Sequence, residues 1–373
     1  MNNKKTIILF SNAESDIDFK ATRKAAEILL KLGRQVVFCP LYPQGLLSPV
    51  RSELPELPGA SMASESPEIS GTSMVSESPE LPISSMASVS PELPVSSMAS
   101  ISSESSVSSL SSLSPASTAV SNRTFKIDGI IGITGITEGR AEDHIKSAEM
   151  IITFGGDGTI LRAARIAADA GFGTPILGIN VGHTGFMAEI EDDETDMIAA
   201  AATGKYTTES RMMLDVEILR GNEVLKRDFA LNDVVVRGDN KVIDLTIFGD
   251  DQRISAFYGD GTVIATPTGS TAYSMAAGGP LVEPTAHNII VTPICAHFLE
   301  ARSFVLASER IVTVKLGNRN RNHVYISADG GDHIMISNGD VISVRKSSIF
   351  TNFMRVTDRS FYKKVSEKLG GQG

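Results

Sequence analysis

The chain has 373 residues, enough to bury a sizeable core and to divide into two or three domains. Its net charge of −10 gives no footing for nucleic-acid or membrane-surface binding, which basic patches would drive. Two cysteines, Cys39 and Cys295, form neither a disulfide framework nor a metal cluster. They lie in apolar runs and read as two buried thiols in a reducing compartment. No apolar run approaches the ~18 residues of a membrane span, and the basic start "MNNKKTIILF" lacks a signal peptide's long apolar region. The expectation is a soluble cytoplasmic protein.

In chain order, "KKTIILFSN" (4–12) is a short β-branched strand closed by turn formers. "SDIDFKATRKAAEILLKLG" has helical spacing, an acidic start and Gly33 as a stop. "RQVVFCPLY" is the next strand, so the chain opens as a βαβ unit. A composition break follows. Residues 44–121 are Ser, Pro, Glu and small residues, with eight Glu and one Arg between Ser48 and Ser121. Met62, Met74, Met86 and Met98 mark a twelve-residue repeat. One Met and a Pro per repeat cannot bury a solenoid face, so the segment is expected to be a disordered insertion.

Order resumes with a strand at "FKIDGIIGI" (125–133), a helix around "EDHIKSAE", the strand "MIITFGG", a helix over "ILRAARIAADA" and the strand "TPILGIN". "GHTGF" reads as a Gly-rich turn and "EDDETDMIAAAATG" as an acid-started helix. Alternating strands and helices predict an α/β N-terminal domain, 1–205, with an open, mostly parallel sheet. From Tyr206 the segments "MLDVEILRG", "VVVRG", "VIDLTIFGDD", "RISAFYGDG" and "TVIATP", then "RIVTVKLG", "HVYISADGG" and "HIMISNGDVISVRKS", predict a β-rich C-terminal domain over 206–345. The final segment, 346–373, carries a helix at "DRSFYKKVSEKLG" expected to pack back on the first domain.

The chemistry starts at Gly155-Gly156-Asp157-Gly158-Thr159, between a strand and a helix. In an open α/β sheet, ligands bind beyond the carboxyl ends of the strands. Glycines there let backbone N–H groups approach a phosphate at the next helix's N-terminus. Asp157 would repel that phosphate, so it faces a hydroxyl or a metal ion, an arrangement suited to phosphoryl transfer. The alternative is a tight turn capped by Asp157. Neither a P-loop nor a dinucleotide fingerprint opens any βα unit. Further on, Thr268, Ser270 and Thr271 place hydroxyls beside Gly269 and a helix start. Tyr273 can offer a ring to a base, a hydroxyl to a phosphate, or pack in the core. Asn232 suits an adenine edge and Asp233 can accept from ribose hydroxyls, unless the pair is only a turn. Asp260, between Gly259 and Gly261, repeats the acid-in-glycine pattern, with a hairpin turn as the alternative.

By itself GGDGT resembles a superfamily that includes NAD kinases, diacylglycerol-kinase-like lipid kinases and phosphofructokinases. "ALNDVVVRG" (230–238), "YGDGTVIATPTGSTAYSMAAGGPLVEP" (258–284), "TPICAHFLEARSFVL" (292–306), "GINVGHTGFMAEI" and "ISADG" resemble the NAD kinase family in order and spacing. The resemblance covers essentially the whole chain outside the insertion. It implies transfer of a phosphate from ATP, or from polyphosphate, to the 2′-hydroxyl of the adenosine ribose of NAD. It also implies a divalent metal, Mg²⁺, delivered with the nucleotide, and a homo-oligomer, dimer or tetramer.

Under this resemblance Asp157 is the catalytic residue, as base, orienting group or metal ligand. Gly155, Gly156, Gly158, Thr159 and Arg162 face the donor phosphates. Asn232, Asp233, Asp260, Thr268, Ser270, Thr271, Ala272, Tyr273 and Ala276 bind the dinucleotide. The chain departs from the commonest pattern at Asp233 (where Glu is frequent), Ala276 (Ser) and Ser303 (Pro). His183 in the Gly-rich turn can touch a phosphate, and His297 is expected to organise structure. No histidine has metal-ligand spacing. A lipid kinase sharing GGDGT and an idle dinucleotide-binding regulator are the competing readings.

Overall fold

The computed structural model describes residues 6–41, 133, 135–171, 173–182, 185–239, 241–297, 301–317 and 323–370. The repeat insertion, all but the last residue of the expected strand at 125–133, and His183 lie outside the described residues. The first half runs β1 (Thr6–Asn12), α1 (Lys20–Lys31), β2 (Gln35–Leu41), β3 (Ile136–Glu138), α2 (Ala141–His144), β4 (Ala148–Phe154), α3 (Asp157–Ala170), β5 (Ile176–Asn180), β6 (Ile190–Glu191) and α4 (Ile198–Ala202).

Five of these strands are parallel neighbours in the order β3-β2-β1-β4-β5. Their unbroken apolar runs are what a sheet covered on both faces requires. Ile7, Leu9, Met150 and Ile152 pack under α1 and α4. Ile8, Phe10, Ile151 and Ile176 pack under α2 and α3. Helix α1 starts later than its acidic lead predicted. The Asp16 carboxylate accepts from the amides of Ala21 (2.9 Å) and Thr22 (3.0 Å), while Asp18 and Phe19 turn through left-handed backbone with φ of 54° and 53°.

The second half contains β7 (Thr207–Arg220), β8 (Glu223–Ala230), β9 (Asp233–Gly238), β10 (Ile243–Gly249), β11 (Gln252–Gly259), β12 (Gly261–Ala265), α5 (Tyr273–Ala276), β13 (Asn288–Ile294), β14 (Phe304–Ala307), β15 (Val312–Leu316), β16 (Val324–Ala328), β17 (Ile334–Ile336), β18 (Asp340–Arg355) and α6 (Phe361–Leu369). Six of them form an antiparallel sheet in the order β14-β13-β12-β9-β16-β17. The fold is thus an α/β half with a mostly parallel sheet and a β-rich half.

One strand joins the two. β18 pairs with β7 along its length and with β15, all antiparallel, and its Phe353 lies parallel to Ile176 of β5. The parallel sheet therefore continues without a break into β-rich strands, giving twelve strands in all. Between the two sheets lies a core of Leu214, Val216, Leu245 and Val314 against Val234, Val236, Ile264 and Ile326. On the far face of the smaller sheet, Tyr273 packs over Val235, Val263 and Ile290.

The thiols differ from expectation. Cys39 is buried, and burial pushes its thiol up to about 12. Cys295 is exposed, because the chain leaves β13 there through left-handed backbone (φ 46°).

Candidate active site

Strand β4 delivers the glycine loop to the carboxyl edge of the parallel strands, and α3 begins at Asp157. Gly155 has φ of 151°, and a Cβ there would overlap the Thr159 hydroxyl and crowd Asn12. Gly156 and Gly158 are different. A Cβ at either would meet no atom of the described residues within 4 Å. Both open onto a cleft of about 440 Å³ lined also by Asn12, Ser15, Leu41, Thr159, Arg162 and Val181. The first amides of α3 have no partner within the helix, and its dipole favours an anion there. Asn12 and Ser15 escaped the sequence reading. The rule that ligands sit beyond parallel strand ends, applied to "FSN" at the end of β1, would have found them.

Asp157 is not a free acid among glycines. Its Oδ2 accepts from the Phe186 amide (2.9 Å) and its Oδ1 from the Met187 amide (3.1 Å). A Cβ at Gly185 would overlap this carboxylate, so glycine there lets the chain close onto it. The C-terminal helix α6 secures the same segment. Lys364 Nζ donates to the Ala188 carbonyl, and Lys368 Nζ lies 4.1 Å from the centre of the Phe186 ring.

The candidate dinucleotide wall, none of whose residues lines that cleft, is built on Asp329, itself at φ of 50°. Its carboxylate accepts from the amides of Leu231 (2.7 Å), Asn232 (2.7 Å) and Asp233 (3.1 Å). Asn232 is buried, and its Oδ1 has no hydrogen-bond partner among the described residues. Burial, and next the neighbouring Asp329, push the Asp233 carboxyl up to about 7. Burial raises Asp329 too, against the three amides that favour its charged form.

The segment 266–273 folds onto this wall. The Thr266 amide donates to the Asn232 carbonyl (2.9 Å), and a Cβ at Gly269 would overlap the Asn232 backbone. Thr268 is buried and its hydroxyl accepts from Arg211 Nη1 (3.2 Å). Ser270 is fully buried. Its hydroxyl serves the Pro267 and Val282 carbonyls and accepts from the Val282 amide (3.0 Å). The Thr271 hydroxyl donates to the Thr268 carbonyl (3.2 Å). Ala272 and Tyr273 are half-buried and Ala276 is exposed. Asp260 is half-buried between β11 and β12, with Gly259 and Gly261 pressed against the backbone of β13 and β9 respectively.

Helix α3 ties the two walls together. Arg162 lines the cleft and is exposed. Arg165, one turn on, donates from Nη1 to the Phe229 carbonyl (3.2 Å), pairs with Asp228 and stacks 4.7 Å from the Phe229 ring centre. The glycine loop and the Asn232-Asp233 pair are thus fixed to opposite ends of one short mechanical path. His297 is exposed, and its amide donates to the Tyr258 carbonyl (2.8 Å). Among the described residues no group of three or more His, Cys, Asp or Glu converges to hold a metal.

Comparison with known proteins adds a family. The model of the ATP-NAD kinase N-terminal domain matches residues 88–206 and that of the ATP-NAD kinase C-terminal domain matches 231–356. A curated NAD kinase of Natranaerobius thermophilus is 41% identical over 229 residues, 60% of this chain and 79% of that protein. The structure of a yeast NADH kinase complexed with NADH superposes with a TM-score of 0.65 at 19% identity, over 100% of this chain and 89% of that one. That of an NAD kinase from Archaeoglobus fulgidus in complex with ATP gives 0.50 at 25% identity, over 64% and 90%.

Proposed function

Because the chain belongs to the NAD kinase family, we propose that its two walls carry out one transfer. The terminal phosphate of ATP goes to the 2′-hydroxyl of the adenosine ribose of NAD, giving NADP. The observation that carries this is the pair Gly156 and Gly158, where the fold leaves room for side chains and the sequence withholds them. An incoming triphosphate, cradled by backbone amides at the start of α3, needs that room. Thr159 and Arg162 add a hydroxyl and a positive charge beside it.

On the acceptor side, the unpartnered Oδ1 of Asn232 suits an amine donor on the adenine edge. Asp233 takes ribose hydroxyls, Tyr273 offers its ring to a base, and Asp260 serves the nicotinamide end. The buried hydroxyl of Ser270 shapes the turn rather than reaching the ligand. Asp157, fixed by two amides, orients the 2′-hydroxyl. In a loose transition state the hydroxyl proton leaves late, so orientation and charge neutralisation suffice. The residues present fit a cation that arrives on the nucleotide: Asp157 has used one lone pair on each oxygen and keeps others. Mg²⁺ bound there supplies charge neutralisation at the phosphates.

The same reading assigns 1–205 to the donor side, 206–345 to the acceptor side and 346–373 to a strap between them, in a homo-oligomer working in the cytoplasm. No helix among the described residues is long and apolar enough to cross a membrane. The test is direct: incubate the chain with NAD, Mg²⁺ and either ATP or polyphosphate, and read NADP with a coupled dehydrogenase. NADP forms with ATP, and Asp157→Asn lowers kcat at least about a hundredfold, a typical loss for one positioned group. No NADP from the wild type ends this reading.

A further inference from the structure

The structure contains an ionic chain, buried at Glu189 and Arg211 and half-buried between them, that the chemistry above does not use. Glu189 is buried, and its Oε1 accepts from the amides of Val356 (3.0 Å) and Thr357 (2.8 Å) and from the Thr357 hydroxyl (2.7 Å). Its Oε2 accepts from Arg355 Nη1 (2.8 Å). Arg355 reaches on to Glu209 through Nε (3.2 Å) and Nη2 (3.0 Å). Glu209 pairs in turn with Arg211, whose free arm donates to the Thr268 hydroxyl (3.2 Å). Both guanidiniums lie over the Phe353 ring, at 5.4 and 6.0 Å.

The two ends of this chain matter. Glu189 lies two residues after Met187, whose amide holds Asp157 together with that of Phe186. Thr268 opens the turn that lies on the Asn232 backbone. A buried ion chain is costly to build, and well-packed apolar side chains of similar size often match or exceed its stability. Burial already pulls the Arg211 guanidinium down to about 10. What a guanidinium offers over Met is a planar fork with donors in two fixed directions, one used on Glu209 and one on Thr268.

We propose that Arg211 is a positioning residue, coupling the acceptor turn at Thr268 to the segment that holds Asp157. It sets the acceptor's approach without touching substrate. This rests on the reading of the Thr268 turn as part of the NAD site. Three consequences follow for Arg211→Met: KM for NAD rises, KM for ATP stays, and the loss passes through Thr268.

The experiment measures KM for NAD and for ATP separately, kcat and thermal midpoint, for Arg211→Met, Arg211→Lys, Thr268→Val, and Thr268→Val combined with each Arg211 variant. Arg227→Met, in the exposed pair with Glu217, is the control. Losing one charge-assisted bond predicts about a tenfold rise in KM for NAD, with KM for ATP within about twofold. Arg211→Lys falls between, because one ammonium cannot serve both partners. Each double variant is no weaker than Thr268→Val by more than about twofold, the non-additivity expected of one shared path. Equal rises in both KM values, additive double variants, or a lowered midpoint with unchanged KM overturn the proposal. If Arg211→Met does not fold, the Arg211→Lys and Thr268→Val cycle decides in the same way. A wild type without kinase activity would remove the parent reading instead, and calorimetric NAD binding by the same variants would still rank the Arg211 effect.

Discussion

Replacing Asp233 with Asn tests the acceptor wall through its proton. Asp233 is 5% exposed and sits beside Asp329, whose carboxylate is engaged by three amides. Its carboxyl rises from 3.8 to about 7, through burial first and Asp329 second. Between those values the native state holds a proton that the unfolded chain has released. This group's contribution is therefore fully present below about pH 4, falls by about 1.4 kcal/mol per pH unit, and is lost above about pH 7. Over the whole span that amounts to about 4 kcal/mol, and between pH 5 and 7 to roughly 2.7 kcal/mol. Asn copies the shape of the protonated acid and does not titrate. Urea unfolding of both proteins at pH 5, 6, 7 and 8 reads this term together with its coupling to Asp329, since groups that do not interact with Asp233 cancel in the difference. The stability of wild type relative to Asp233→Asn should fall by about 2–3 kcal/mol from pH 5 to 7 and then level off. A difference flat to within about 0.5 kcal/mol, smaller than any buried titration of this size, would refute the reasoning.

Gly156→Ala and Gly158→Ala should leave the thermal midpoint within a few degrees of wild type while raising KM for ATP about tenfold or more, the cost of pushing backbone from phosphate. Gly155→Ala should instead lose about 1–3 kcal/mol in urea unfolding, since its backbone and its neighbours both reject a Cβ. Lys364→Met should be neutral or stabilising at pH 7: burial, then Arg355, depress the ammonium to about 8. A depressed ammonium contributes only above its unfolded value and loses that as pH falls through about 8, so at pH 7 the buried charge is a net burden. A loss above about 2 kcal/mol would contradict this. In the native state iodoacetamide should label Cys295 and spare Cys39, read by mass after digestion, because only Cys295 is exposed and the Cys39 thiol is pushed up to about 12.

How much of this was legible in the sequence depended on the range of the physics involved. The strands β1, β4 and β5 and the helix α3 showed in local apolar patterning, because both faces of the parallel sheet are covered. β8 did not: "EVLKRDFA" is mostly exposed and charged, so no alternation marks it, and only its pairing with β7 makes it a strand. The delayed start of α1 was hidden because Asp16 works from outside the helix it serves. The walls of the site were legible as motifs, while the groups that hold those motifs were not. Nothing local in the sequence singles out Arg165, Glu189, Glu209, Arg211 or Arg355. Glu189, Glu209, Arg211 and Arg355 meet only after β18 joins the parallel strands to the β-rich ones within the larger sheet, bringing together residues up to 166 positions apart. Asp329 stood in the sequence as part of "ISADG", with nothing local to say that it grips three amides nearly a hundred residues upstream.

The two acid-in-glycine strings sharpen this point. "GGDG" at 155–158 and "GDG" at 259–261 look alike, and each was open to a ligand-facing reading and to a plain turn. The structure separates them by what a side chain would strike. At 259 and 261 a Cβ would press into the backbone of β13 and β9, so strand packing alone accounts for those glycines. At 156 and 158 it would meet nothing among the described residues, in a cleft beside an arginine and a helix start. Glycine lowers stability by about 0.5–1 kcal/mol relative to alanine where its freedom is not used. Gly158, in the first turn of α3, bears that cost for the ligand proposed above, while Gly156 is the N-cap of α3, where glycine is better than alanine. Gly158 has room that the proposed donor would use, whereas Gly155, Gly259 and Gly261 answer to the fold around them.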